Sequence, residues 1–396
     1  MVIHKAFRFR VYPSTEQVAR LDRWSDALRF LWNLANEQRL IGYARPRGHR
    51  IYPTAFDQIN ELTELRAELP WLAEVPRDIS AQLLIELDRA WQRCFKRLGR
   101  APRWKRKGRD VIGCMEPHPK AWRLVGNELR FPKVGAMHAI AHRPLEGKPK
   151  TCTIKRDGDQ WFVSIMCEIK IVEPVSRTVP VVAIDRGVIN ISADSDGRII
   201  EAPRHYRAAL RRLARAQRTV SRRKKGSKNR EKAKVRVMRI HRKVRRQREH
   251  FLHVLSHGYA KSHGIVVIEK LQVDNMVKTN RSLARGILDA GWSRFGEMLR
   301  YKLVWSGGML LEVPAAYSSQ TCSACGHVDA ENRVSQSVFC CTSCEHQDHA
   351  DLNAAKVLKS RANRSVLLGE GSLKLGTRRT KKQLRVARRA AEISAF

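Results

Sequence analysis

Acidic residues are scarce in this 396-residue chain: 38 Asp and Glu stand against 77 Lys and Arg, a formal net charge of +39. Charge on that scale repels itself within a compact fold unless a polyanion neutralises it, so a nucleic acid is the expected partner. Long apolar runs are also missing. No stretch approaches the ~20 residues that cross a bilayer, and the opening MVIHKAFRFRVYP lacks the apolar core of a secretory signal, so a cytoplasmic protein is expected. A disulfide framework is lacking too, because the nine cysteines include four at metal-ligand spacing and others that are scattered. Apolar residues themselves are plentiful. At 43% they supply real cores, which excludes a solvated basic tail, and the length suggests two or three domains.

The cysteines give the sharpest local pattern. Cys322 and Cys325 form one Cys-x-x-Cys pair, Cys341 and Cys344 a second, and fifteen residues separate them. Each tight turn points two thiolates at one centre, and two turns complete the shell of a structural zinc ion with no position left for catalysis. Cys340 would leave three residues before Cys344 and is the spare.

Along the chain, Phe7, Phe9 and Val11 alternate with Arg8 and Arg10, a strand with one basic face. Ser14 and Gln17 read as a capping box before a helix through Val18, Leu21, Trp24, Leu28 and Leu31, and a second helix runs through Leu84, Leu87, Trp91, Phe95 and Leu98 to Gly99. Arg103, Trp104, Lys105, Arg106 and Lys107 then form a basic run with an aromatic inside it, suited to a phosphate backbone and a stacked base. Short alternating segments up to Ile171, punctuated at Gly126-Asn127, Gly147-Lys148 and Asp157-Gly158, predict a small antiparallel barrel or wedge. The expected domains are therefore 1–13 with 100–173 for the β part, 14–99 for the helical part, and a linker at 174–180.

A second domain opens on the buried-strand run Val181-Val-Ala-Ile184. The block from Arg204 to His250 predicts two helices, a hairpin over 204–257 broken at Gly226-Ser227, whose Arg/Lys face suits phosphates; Arg222, Arg223, Lys224, Lys225, Arg245 and Arg246 are its candidate contacts, with Arg8 and Arg10 on the first strand. Gly264-Ile-Val-Val-Ile268 is another buried strand, followed by a helix through Leu288, Trp292, Phe295, Leu299 and Leu303 and a strand at Met309–Val313. The body is expected over 181–315, the cysteine insert over 316–348, a last segment over 349–361, and a basic disordered tail over 362–396.

Asp185 and Glu269 each end an apolar strand, and Asp351 opens a helix after a third. Carboxyl ends of strands share one edge, where ligands bind. Three acids meeting there without a basic partner would repel one another, so divalent cations bound by oxygen alone, magnesium or manganese, are expected between them. Two such ions ~4 Å apart suit hydrolysis of a phosphodiester.

At these residues the sequence resembles the TnpB family, transposon-encoded RNA-guided nucleases related to type V CRISPR effectors. The resemblance lies in Ala183-Ile-Asp-Arg-Gly-Val188, Val267-Ile-Glu-Lys-Leu271, Tyr317-Ser-Ser-Gln-Thr-Cys-Ser-Ala-Cys-Gly326 and Ala350-Asp-Leu-Asn-Ala-Ala355, with Lys5–Pro13 and the Pro102 segment beside them. It implies a multidomain α+β and α/β chain: a wedge β-barrel with a helical recognition lobe, then a RuvC domain of RNase H fold with an inserted zinc knuckle that binds target nucleic acid. It further implies Asp185, Glu269 and Asp351 as a catalytic, magnesium-binding triad, a guide RNA from the transposon end, a double-stranded DNA target beside a short protein-read motif, a monomer on its RNA, and a prokaryotic, nucleoid-associated setting. A compact CRISPR effector of the same fold and a cleavage-deficient RNA-guided repressor are the alternatives.

Overall fold

The computed structural model describes residues 2–44, 52–170 and 180–368. The expected linker at 174–180 lies outside them apart from Pro180, and of the tail expected over 362–396 the residues from 369 on do so too, whereas 362–368 continue the last helix, with Ala362 packed in the core. The chain divides into two compact units, Met1–Ile171 and Val172–Phe396.

The first unit is a seven-stranded antiparallel sheet with helices packed on it. Its elements are β1 (Val2–Tyr12), α1 (Thr15–Ala44), α2 (Ala55–Glu68), α3 (Pro70–Ala73), α4 (Arg77–Phe95), β2 (Cys114–Glu116), β3 (Arg123–Val125), β4 (Glu128–Phe131), β5 (Gly135–Ile140), β6 (Lys148–Asp157) and β7 (Gln160–Lys170). The strand order is β2-β6-β7-β1-β5-β4-β3, with β2 and β3 at the edges. β1 pairs with β7 from Val2↔Lys170 to Val11↔Trp161, and its alternation buries Phe7, Phe9 and Val11 against Trp24, Leu28 and Leu84. The Ser14/Gln17 box forms as read: Ser14 N donates to Gln17 Oε1 at 2.9 Å, and Gln17 N to Ser14 Oγ at 3.3 Å. The second expected helix ends earlier than its apolar spacing suggested, at Phe95, because Arg97 turns into the left-handed region at φ 55° and leaves Leu98 66% exposed. Between the two expected helices stand α2, opened by a Thr54/Asp57 capping box, and the short α3.

The second unit holds β8 (Val181–Asp185), β9 (Asn190–Asp194), β10 (Ile199–Glu201), α5 (His205–Arg222), α6 (Lys228–Ser262), β11 (Ile265–Lys270), α7 (Val273–Thr279), α8 (Ala284–Ala290), α9 (Trp292–Trp305), β12 (Met309–Pro314), β13 (Val338–Cys340), β14 (Gln347–His349) and α10 (Ala350–Leu368). Five strands lie in the order β10-β9-β8-β11-β12, where β8, β11 and β12 are parallel, β9 runs against β8, and β10 runs against β9 and so with the other three. The continuous apolar runs follow from burial on both faces. Val182, Ile184, Val266 and Ile268 meet Leu252, Tyr259, Phe295 and Leu299 on one side, whereas Ala183, Ile265 and Val267 meet Leu358 and Ala362 on the other. The basic hairpin breaks where expected: Gly226 sits at φ 84° and Ser227 Oγ caps α6 by accepting from Arg230 N at 3.2 Å. The helix expected through Leu288 to Leu303 is two helices, because Gly291 at φ 69° interrupts it and leaves Leu288 57% exposed on α8.

Candidate active site and metal cluster

Parallel pairing places the first two acids side by side. β8 and β11 run in register to Ile184↔Ile268, so Asp185 and Glu269 follow on adjacent strands at the carboxyl edge of the sheet. Asp351 reaches the same place from the first turn of α10. Their convergence is visible in the charge of Asp185, whose carboxyl is raised well above the usual range by burial, by the facing Glu269 and by Asp351, with Arg333 opposing. The donor type, oxygen alone, suits a hard divalent cation, although among the described residues only the cysteines are gathered closely enough to hold an ion as they stand.

The expectation that these acids lack basic partners is wrong, and the reason is tertiary. Arg186 is buried against Glu269, with Nε 3.3 Å from Oε1 and side chains that are each 5% exposed. Arg333, from the cysteine insert, stands 3.3 Å from Asp351 Oδ1, and Asn190 Nδ2 donates to Asp351 Oδ2 at 2.9 Å. A buried carboxylate needs compensation from some quarter, and here two arginines supply part of it. One signal was available for Arg186: a charge that directly continues a buried strand must find a counter-charge inside.

The insert between β12 and α10 gathers four sulfurs. The Sγ atoms of Cys322, Cys325, Cys341 and Cys344 all lie within 4.8 Å of one another, the one such cluster of possible ligands among the described residues. Cys322 and Cys344 are 3.7 Å apart, Cys325 and Cys341 3.6 Å. A tetrahedron with ~2.3 Å metal–sulfur bonds has edges of ~3.8 Å, so the spacing fits zinc. Cys340 is outside the cluster; its amide donates to Asn332 O at 2.9 Å. The insert is tied to α10 by Asn353, fully buried, which accepts from Ser323 N at 2.9 Å and donates to Thr321 O at 2.8 Å.

The basic candidates are scattered. Arg8 packs over the Phe162 ring and lies 3.7 Å from Asp157, and Arg10 packs over Tyr12. Arg222, Arg223, Lys224 and Lys225 are exposed at the tip of the α5–α6 hairpin, and Arg245 and Arg246 are exposed along α6. The 102–108 strap is pinned to α1: Asn33 Nδ2 donates to Lys105 O at 2.9 Å while its Oδ1 accepts from Lys105 N at 2.8 Å, and Trp32 Nε1 donates to Arg103 O at 3.2 Å. Lys105 Nζ sits over the Trp32 ring, so Lys105 is turned inward, whereas Trp104 remains 45% exposed and Arg103, Arg106 and Lys107 face solvent.

Known proteins resemble this chain along most of their length. A protein named "Putative RNA-guided DNA endonuclease InsQ" from Escherichia coli K12 is 31% identical over 382 residues, 92% of this chain and 94% of that one. The chain belongs to the TnpB family. A Streptomyces pristinaespiralis protein named "Putative RNA-guided DNA endonuclease" is 34% identical over 374 residues, 93% of this chain and 92% of its own. Family models match three segments: one described as "Probable transposase" covers residues 164–280, a Cas12f1-like TNB domain covers 292–358, and a helix-turn-helix domain covers 1–47. In this TnpB chain the last description does not hold, because residues 2–44 form one strand and one 30-residue helix. The fold is also that of the Cas12f1 chain in a complex with single-guide RNA and target DNA, at a TM-score of 0.53 and 13% identity over 90% of this chain and 98% of that one.

Proposed function

We propose that this TnpB-family chain is an RNA-guided DNA endonuclease of a transposable element. A guide RNA from the transposon end pairs with double-stranded DNA beside a short protein-read motif, and the single site at Asp185, Glu269 and Asp351 hydrolyses phosphodiester bonds. The observation that carries the chemistry is the register that sets Asp185 and Glu269 on adjacent strands at the carboxyl edge of the sheet, with Asp351 tied to the same edge through Asn190. Bound there, two magnesium or manganese ions would supply the activated water and the stabilisation of the leaving oxygen. The chain's own acids would hold those ions, and Arg333 offers a cation beside Asp351. The four cysteines would hold a structural zinc ion.

The strand order and directions of the second unit support reading it as a RuvC domain of RNase H fold, 181–315 with 349–361, around the zinc insert at 316–348. The first unit is read as the wedge, residues 1–13 and 100–173, with a helical recognition lobe at 14–99. Exposed cations on the α5–α6 hairpin and the strap are the backbone contacts, Trp104 the stacking group, and one copy of the chain serves each RNA.

The test is to purify the chain from cells carrying its transposon ends, sequence the RNA that comes with it, and challenge the complex with a randomised DNA library. A discrete RNA and magnesium-dependent cuts at guide-matched sites are expected; a preparation without discrete RNA defeats the reading. Trp104→Ala should weaken DNA binding by roughly tenfold, in line with the 1–3 kcal/mol of a stacked base. Its melting temperature should change little, since nearly half of the side chain is exposed, and a filter-binding series beside a thermal melt separates the two effects.

A further inference from the structure

Asp185 is followed by a turn, Arg186 to Asn190, that touches both of the other acids. At its start the Arg186 main-chain N donates to Glu269 Oε1 at 3.1 Å and Nε to the same oxygen at 3.3 Å, while Nη2 donates to the Glu269 carbonyl and Nη1 to the Trp292 carbonyl at 3.3 Å. At its end Asn190 Nδ2 holds Asp351 Oδ2 at 2.9 Å. Between them the turn is closed: Gly187 N donates to Asn190 O at 2.9 Å, and Trp292 Nε1 donates to Gly187 O at 3.1 Å. A Cβ at Gly187 would lie 2.6 Å from Asn190 O, so this approach requires glycine.

We propose that this turn is the positioning element of the acid site, Arg186 fixing Glu269 and Asn190 fixing Asp351 each through one carboxylate oxygen. Both Arg186 contacts to the Glu269 carboxylate use Oε1. Asp351 Oδ1 faces Arg333, whose side chain is 28% exposed and leaves at less cost than a buried partner. The inference rests on the nuclease reading. It adds two residues that touch neither substrate nor ion and act through the acids.

Arg186 has two separable effects. Its charge offsets that of Glu269, which weakens the pull on a divalent ion, and its planar fork fixes the angle of the carboxylate, which an ammonium cannot do. Losing the charge should therefore tighten ion binding even as turnover falls. A role in packing alone would move ion binding, rate and stability together.

The experiment uses the chain loaded with its guide RNA. Manganese binding is followed by calorimetry without DNA, with Asp185→Ala as the blank, and single-turnover cleavage is measured at saturating ion. Arg186→Met should bind manganese about threefold more tightly, as expected for one uncompensated charge nearby, and should cut about 30-fold more slowly, within the 10–100-fold range for loss of an outer-shell partner. Arg186→Lys should bind the ion as the parent does yet still cut about tenfold more slowly. Asn190→Ala should bind the same number of ions and cut about tenfold more slowly. Should Arg186→Met fail to fold, the other two variants decide. Parent-like rates in Arg186→Lys and Asn190→Ala, or a parallel loss of ion binding and rate, would overturn the inference. If Asp185→Ala itself cuts as the parent does, the nuclease reading fails instead.

Discussion

Asp185→Ala should slow DNA cleavage by at least ~10³-fold, about 4 kcal/mol of transition-state stabilisation, while guide and target binding stay as in the parent. Asp185 is half-buried at the end of β8, and desolvation, Glu269 and Asp351 all push its pKa up, so it stands among the acids that would hold an ion there. Stability should move the other way. In the metal-free protein the charged form of Asp185 is disfavoured by burial and by two like charges, and alanine removes that cost. The variant should therefore melt no lower than the parent in chelator, and it should lose the rise in melting temperature that magnesium gives the parent. Single-turnover cleavage, filter binding and paired melts measure all three. An inactive variant that melts early would point to misfolding, and an active one would remove Asp185 from the chemistry.

Removing zinc should be comparably severe. The insert has a hydrophobic centre of only Cys322, Phe339, Cys341 and Ala350, too little to hold roughly thirty residues together without a metal. Zinc bound by four thiolates contributes ~10–16 kcal/mol to folding in small domains. Loss would travel to the acid site along a short route. The β13–β14 ribbon pairs Val338 with His349, Ala350 N donates to Ser337 O at 2.9 Å, and the next residue is Asp351. Cys341→Ser or a tight chelator should thus release one zinc per chain, measured by elemental mass spectrometry, and reduce cleavage by at least ~10²-fold, at the upper end of what outer-shell losses cost. Full activity in zinc-free protein would separate the insert from catalysis.

What could be read in the sequence was what depends on local periodicity or fixed spacing. Val181–Ile184 and Ile265–Ile268 announce strands buried on both faces, and Asp185 and Glu269 are conspicuous because each ends such a run. Cys-x-x-Cys spacing reflects the reach of a tight turn, so the four sulfurs could be chosen without a fold. The partners of the arginines could not be, although the strand-end position of Arg186 marks it as needing one. Arg186 and Glu269 are 83 residues apart, and Arg333 is one of 77 basic residues with no local mark of its partner. The break at Gly291 was hidden because its apolar neighbours keep helical spacing across it, and the Asn33 contacts to the strap join residues 72 positions apart.

The strap carries a consequence for how ionic strength acts on the protein. Arg103 lies 3.8 Å from Asp110 and Lys107 3.7 Å from Asp26, so two of its exposed cations already have carboxylate neighbours. A phosphate that engages either one displaces an internal carboxylate as well as expelling sodium from the nucleic acid. The affinity gained at low salt therefore comes with a carboxylate left to find its own cation from solution, and the slope of log K against log salt should fall short of the number of basic residues the strap presents. Through these two aspartates the strap works as a partly self-buffered polycation, less sensitive to salt than its sequence suggests.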